Sequence, residues 1–270
     1  MMGTKTKKKA AKGKADKKNK RKIVLICLAV VLALAGMFAA FFALHGGSRQ
    51  TGTVKLPDKE IAKGIDVSSH NGDIDWKTVK SEVDFAFIRV GFRGYSEGEI
   101  NFDKNAKYNL RHANKAGVPV GVYFYSQAVN EKEAEEEAQF VLSKIKSYDI
   151  SLPVVIDFEY ASKGGKFTGR LYEARLTIKE NTALINAFCD KIRKAGYTPG
   201  IYASSYIYKS YVKPKQFDKD TFIWVADYNS EVSYGGYYDI WQYTEKGKCK
   251  GVSSSSVDFN RWYVKNRLQN

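Results

Sequence analysis

The sequence predicts an α/β fold: an irregular TIM-like barrel preceded by a single transmembrane helix. Three observations carry this. Short, nearly continuous apolar runs alternate with amphipathic stretches from residue 63 onward, the pattern of strands buried on both faces between helices. The punctuation Ala116-Gly117-Val118-Pro119-Val120-Gly121 recurs as Ala195-Gly196-Tyr197-Thr198-Pro199-Gly200, a helix stop followed by a strand start. Residues 23–44 carry no charge and no strongly polar group, long enough to cross a hydrocarbon layer of about 30 Å as a helix.

Residues 1–22 hold eleven Lys or Arg against Asp16. They supply +10 of the chain's formal +15, so only +5 is left for everything else. The high charge describes a tail with nothing to bury, and it does not argue for nucleic-acid binding by the folded part. The basic block directly precedes the apolar run. Lys and Arg concentrate on the cytoplasmic side of a span, so residues 1–22 read as a cytoplasmic tail and residues 23–45 as a membrane anchor. Residues after the anchor are placed outside the cell. The run exceeds the usual length of about 7–15 residues for a signal-peptide core. Ala39, Ala40 and Ala43 leave cleavage and secretion as the alternative. Residues 46–62, with Gly46, Gly47, Gly52 and Pro57, read as a linker.

Residues 63–270 form the remaining domain. Strands are expected at 64–67, 85–90, 120–125, 154–158, 198–202, 222–226 and 240–243. Helices are expected from Asp103 to about 116, from Asn130 to about 147 with Glu133 completing a capping box, and over about 172–195. Fewer helices fall in the last third, so the barrel is expected to be irregular there. Cys27 lies in the apolar run, leaving Cys189 and Cys249 as the one pair available to the domain. A disulfide between them is open, and two unpaired thiols are favoured. The three histidines, His45, His70 and His112, are scattered and no C-x-x-C occurs, so no metal site of ordinary spacing is expected. No P-loop, G-x-G-x-x-G or G-x-S-x-G is present either, and no cofactor is implied.

Active residues of parallel α/β folds gather at the C-terminal ends of strands. Asp66, Asp157, Glu159 and Asp227 fall at predicted strand ends, and Asp258 lies near the C-terminus. A lone Asp at a strand end is as readily a structural hydrogen-bond acceptor, but five such acids in one barrel are harder to explain that way. Asp157-Phe158-Glu159 is the sharpest element. Side chains two apart on a strand share a face, with Cα atoms about 6.6 Å apart. Two carboxylates crowded in a partly apolar pocket repel, and one keeps its proton and can serve as a general acid. Tyr123, Tyr125, Tyr202, Trp241 and other aromatics at or just past strand ends suit the apolar faces of sugar rings better than a phosphate.

On these residues the sequence resembles glycoside hydrolase family 25, the Chalaropsis-type lysozymes. The likeness covers about residues 62–265. It rests on Lys63-Gly64-Ile65-Asp66-Val67-Ser68 with Asn71-Gly72 and Asp75-Trp76, on Phe85 through Gly91, and on Ala116 through Tyr125. Further on it rests on Pro153 through Glu159, Gly200-Ile201-Tyr202, Trp224-Val225-Ala226, Ile240-Trp241-Gln242-Tyr243 and Val257-Asp258-Phe259-Asn260. Each is weak alone; together and in order they are specific. The resemblance implies a flattened (β/α)5β3 barrel and cleavage of the β-1,4 bond between N-acetylmuramic acid and N-acetylglucosamine in peptidoglycan. It implies Glu159 as proton donor and Asp157, Asp66 and Asp258 as its tuning and charge-stabilising partners. Tyr123, Tyr125, Tyr202 and Trp241 would line the groove; Asp227 matches no motif position and is carried as a fifth candidate substrate-binding residue on its place at a strand end. The expected partners are peptidoglycan glycan strands, with the membrane held through residues 23–45. Two other readings are weighed: a catalytically silent glycan-binding barrel, which the intact acid set opposes, and a metal-dependent amidase or deacetylase, which the few histidines oppose.

Overall fold

The computed structural model describes Val54 and residues 58–268. The tail, the anchor and most of the linker lie outside the described residues, among which no helix is long and apolar enough to cross a membrane.

In the described residues eight strands close a barrel: β1 (Ile61–Val67), β2 (Phe85–Arg93), β4 (Val120–Ser126), β5 (Val154–Phe158), β8 (Pro199–Ser204), β9 (Phe222–Ala226), β10 (Ile240–Gly247) and β11 (Val257–Tyr263). The neighbours run parallel from β1 through β2, β4, β5, β8 and β9 to β10. The last strand, β11, is antiparallel to both β10 and β1 and seals the ring. The short β3 (Ile100–Phe102) extends the outer edge of β2, and β6 (Ser162–Lys163) pairs with β7 (Lys166–Phe167) in a separate hairpin. Helical segments follow the first five barrel strands. The short α1 (Trp76–Val79) comes after β1, and the main ones are α2 (Ala106–Ala116), α3 (Glu131–Ile145) and α5 (Ile178–Lys194); β9 and β10 are followed by loops. This is the expected (β/α)5β3 order.

The two-residue period of each strand sorts the core into two layers. Ile65, Ile88, Val122, Ile156, Ile201 and Val225 face outward and are buried beneath the helices. Ala62, Phe85, Phe87, Val155, Trp224, Ile240 and Trp262 face inward and fill the lower barrel. Edge-to-face packing of Trp262 on Phe85, 5.5 Å between centroids, and of Trp262 on Phe222, 5.3 Å, makes this floor solid. Gly64 and Gly121 are required by it, since a Cβ at either would overlap the Phe85 or the Phe87 ring. Val54 packs on the same cluster, so the chain enters the domain at the floor.

Several elements depart from expectation. The helix read as one over 172–195 is two: α4 (Arg170–Glu173) and α5. Arg175 takes φ 50° between them, and Thr177 with Glu180 forms a capping box that restarts the helix. At α3, Asn130 accepts from the Glu133 N–H at 2.9 Å as expected. The Glu133 carboxylate, however, takes the Val129 N–H and a two-pronged pair from Arg170 at 2.6 and 2.9 Å, so the box is not reciprocal. Helix α2 starts at Ala106 rather than at Asp103. Asp103 instead accepts from the Asn105 and Ser69 N–H groups and from Arg89. Cys189 and Cys249 are both buried and unpaired.

Candidate active site

The inner face that carries the floor residues continues upward in polar form. On β1 the sequence Ala62, Gly64, Asp66 runs from floor to mouth; β5 carries Val155 and Asp157, with Glu159 just beyond its end. Strand β11 runs the other way, so Trp262 lies at the floor and Asn260 and Asp258 at the mouth. The result is an open groove of about 1110 Å³ whose lining includes Asp66, Asp157, Glu159, Asp258, Tyr123, Tyr125 and Tyr202. All four expected acids therefore meet at one mouth.

Asp66 and Asp258 are direct cross-strand partners in the antiparallel β1–β11 register. Like charges in that relation are unfavourable, and the pair resolves the conflict by holding a proton between them. Burial, then the facing Asp66 charge, pushes the Asp258 carboxyl up to about 8. Burial also raises Asp66, against the hydrogen bonds it accepts from Asn260 Nδ2 at 2.8 Å and Gln242 Nε2 at 2.9 Å. A network runs outward from there. Asn260 Oδ1 accepts from Trp224 Nε1 at 2.8 Å, and Gln242 Oε1 accepts from the Tyr202 and Tyr228 hydroxyls at 2.9 and 2.7 Å.

Burial, followed by the Asp66 charge, holds the Glu159 carboxyl at about 7. Asp157 is raised well above the carboxylate range by burial and by the Glu159 and Asp66 charges, and its Oδ1 is buried without a hydrogen-bond partner. Arg89, which also lines the groove, pulls Asp157 the other way. Its guanidinium is fixed by the buried Asp103 at 2.9 Å and by Ser69 Oγ at 3.3 Å. The arrangement is a proton donor poised near neutrality beside a second carboxyl whose buried Oδ1 has no hydrogen-bond partner.

Asp227 and Trp241 do not line the groove. Both sit one residue out of step with the inward positions Trp224 and Ala226 on β9 and Ile240 and Gln242 on β10. The Asp227 carboxylate is consumed by its own loop, accepting from Asn229 Nδ2 at 2.6 Å and Ser233 Oγ at 2.7 Å. Trp241 Nε1 donates to the Asp227 carbonyl at 2.6 Å, with Arg261 over its ring at 5.4 Å. Gln242 and Asn260 are the site residues the motif reading passed over as such. The signal for them is parity, because each is two residues from an inward-facing neighbour, Ile240 and Trp262 respectively.

Residues 65–252 match the family model described as glycosyl hydrolases family 25. The chain belongs to this family. Among related proteins, the autolytic lysozyme of Clostridium acetobutylicum is 26% identical over 200 residues, 72% of this chain and 54% of that protein. Among solved structures, the modular autolysin LytC of Streptococcus pneumoniae in complex with a synthetic peptidoglycan ligand has a TM-score of 0.64 and 30% identity. That match covers 77% of this chain and 48% of LytC. A family 25 glycosyl hydrolase from Bacillus anthracis has a TM-score of 0.61 and 25% identity, over 80% of this chain and 95% of that one. The chain thus spans about half the length of the first two proteins.

The crowded acids of this family 25 barrel have a stability consequence. The folded Asp258 holds its proton up to about 8, against an ordinary value of 3.8. The folded state therefore binds more protons than the unfolded chain between about pH 4 and 8, and the wild type loses stability as pH rises through that window. A side-chain amide in place of this carboxyl cannot ionise and still donates to Asp66. Asp258→Asn is expected to be more stable than wild type by roughly 1 kcal/mol at pH 8, or ~3 °C in Tm. Thermal melts should show the advantage shrinking toward pH 4; a pH-independent difference would contradict the shared-proton assignment.

Proposed function

We propose that this protein is a peptidoglycan muramidase, hydrolysing the β-1,4 bond between N-acetylmuramic acid and N-acetylglucosamine with Glu159 as general acid. The observation that carries this reading is the acid pair at the end of β5: Glu159 near 7, beside a buried Asp157 oxygen with no partner, in an open groove. Membership of family 25 and similarity to proteins named autolytic lysozyme and autolysin support the substrate class.

In this mechanism Glu159 gives its proton to the glycosidic oxygen as the C1–O bond breaks. The carbonyl oxygen of the substrate's own 2-acetamido group bonds to C1 from the opposite face. Asp157 gives up its own proton to solvent as the substrate binds, with the Arg89 charge favouring the carboxylate, and accepts a hydrogen bond from the acetamido N–H, which supplies the donor its Oδ1 lacks. Water then adds to C1, reopening the ring, and passes a proton to the Glu159 carboxylate. Asp66 and Asp258 share one negative charge near the developing positive centre. Tyr123, Tyr125 and Tyr202 line the path of the sugar rings. Both acids approach from one strand, which suits assistance by the substrate better than a second enzyme nucleophile across the ring.

We further propose that residues 23–45 anchor the chain in the cell membrane with residues 1–22 in the cytoplasm and the barrel outside, on the basis of the uninterrupted apolar run and the basic block before it. One experiment tests both proposals. Cells are separated into membrane and medium, and each fraction is given purified peptidoglycan. Mass spectrometry of the products should find N-acetylmuramic acid at the new reducing ends, made by the membrane fraction. N-acetylglucosamine ends, or free peptides with intact strands, would reject the bond assignment; activity confined to the medium would reject the anchor.

A further inference from the structure

Immediately beyond Glu159 the chain builds a second surface. Tyr160 is buried and acts as a hub, with the rings of Phe167, Tyr172 and Tyr211 at 5.5, 5.3 and 5.2 Å, all edge-on. Phe167 and Tyr206 lie 6.1 Å apart with planes only 17° from parallel, and Tyr206 meets Tyr211 at 5.3 Å. Rings that served only the core would be covered. Phe167, Tyr172 and Tyr206 are instead 42%, 41% and 47% exposed, an aromatic patch of the kind that marks an interaction site.

The patch is held in place. The β6–β7 hairpin that carries Phe167 turns through Gly164 and Gly165, both at positive φ as a tight two-residue hairpin turn needs. Its base is tied by the Thr168 N–H donating to the Ala161 carbonyl at 2.8 Å. Tyr206 lies in the first turn of α6 (Ser205–Ser210), which follows β8 directly. Both supports are therefore at the mouth end of the barrel, and Ala161 and Ser162, which start the hairpin, line the groove itself.

We propose that this aromatic platform binds a further sugar unit of the same glycan strand, next to the groove on the Glu159 side. The inference rests on the muramidase reading of the groove. A polymeric substrate does not end at the cleaved bond, so whatever surface adjoins the groove meets more of the same chain. The chemistry suits a sugar better than an acyl chain or an apolar protein face. Four of the five rings carry a hydroxyl, and the Tyr206 and Tyr211 hydroxyls are already hydrogen-bonded at 3.0 Å. Flat faces with polar rims match a pyranose, which is apolar on its C–H faces and hydroxylated at its edge.

The test uses the detergent-solubilised full chain carrying Glu159→Gln, to stop turnover. Binding is measured to peptide-free glycan strands of eight or more sugars and to a tetrasaccharide. Phe167→Ala and Tyr206→Ala should each weaken long-strand binding about tenfold and leave tetrasaccharide binding unchanged, while Phe167→Trp and Tyr206→Trp keep wild-type affinity. Unchanged long-strand binding in the Ala variants overturns the platform, as does an equal loss on both ligands. Loss of self-association or of binding to lipid vesicles in the Ala variants, with strand affinity intact, overturns it in favour of those occupants. A parent that binds neither glycan overturns the groove reading itself, which separates the two failures.

Discussion

Glu159→Gln should release reducing ends from purified peptidoglycan about 10³-fold more slowly than wild type, with KM little changed. Gln keeps the shape and the hydrogen-bonding capacity of the side chain but has no proton to transfer. The groove around it does not depend on that carboxylate for its structure, because the network through Asp66, Gln242 and Asn260 is built without it. The variant should therefore melt at or above the wild-type temperature. The wild-type pH profile should agree. Glu159 must be protonated to act, and it loses its proton at about 7, so activity should fall as pH rises through that value. Turnover near the wild-type rate in Glu159→Gln would remove it from the role of acid, whatever the pH profile.

The second large effect lies in one wall of the groove. Arg93 is buried at the end of β2 and donates from Nε to the buried Glu137 at 2.7 Å, from Nη1 to the Gly98 carbonyl at 2.8 Å and from Nη2 to the Glu133 carbonyl at 3.0 Å. Breaking such a pair from one side leaves the other charge buried without compensation. Arg93→Met should cost about 3–5 kcal/mol in urea unfolding at pH 8. Even with Arg93 present, burial holds Glu137 up to about 7, against an ordinary 4.5, and removing the cation raises it further. A carboxyl raised in the folded state favours folding at low pH, so the deficit should shrink on going from pH 8 to pH 5. Arg93→Met with Glu137→Leu should recover most of it. The segment from Gly94 to Glu97 lines the groove and loses the neighbouring Gly98 anchor in either variant, so KM should rise even where stability returns. A deficit below about 1 kcal/mol at pH 8 would show that the pair is not holding this wall.

Much of this molecule was legible in its residues. The apolar runs located seven of the eight barrel strands, because strands buried on both faces are apolar throughout. The eighth, β11, escaped as a strand because its inward positions at the mouth are Asp258 and Asn260, which break the apolar run. The meeting of four acids followed from the rule that such folds gather chemistry at strand ends. That Asp66 should face Asp258 directly did not follow, since it depends on which strand closes the ring and in which direction. Asp227 and Trp241 were misplaced by attending to where a strand ends and not to which face each position takes. A count of parity from Trp224 and Ile240 would have set both aside and promoted Gln242. The non-reciprocal cap at Asn130 has a different cause: Arg170, 37 residues from Glu133 in the chain, outcompetes a local hydrogen bond with a charge.

The solid aromatic floor, with Val54 packed against it, has a consequence for the proposed anchor. The chain joins at the base, and the cutting end is at the far side, one strand length away. Seven residues of β1 span about 23 Å. Residues 46–53, fully extended, add at most ~28 Å. With residues 23–45 as the proposed anchor, a tether joined at the base would confine cleavage to glycan within that radius, and lengthening residues 46–53 should move the cleavage sites outward.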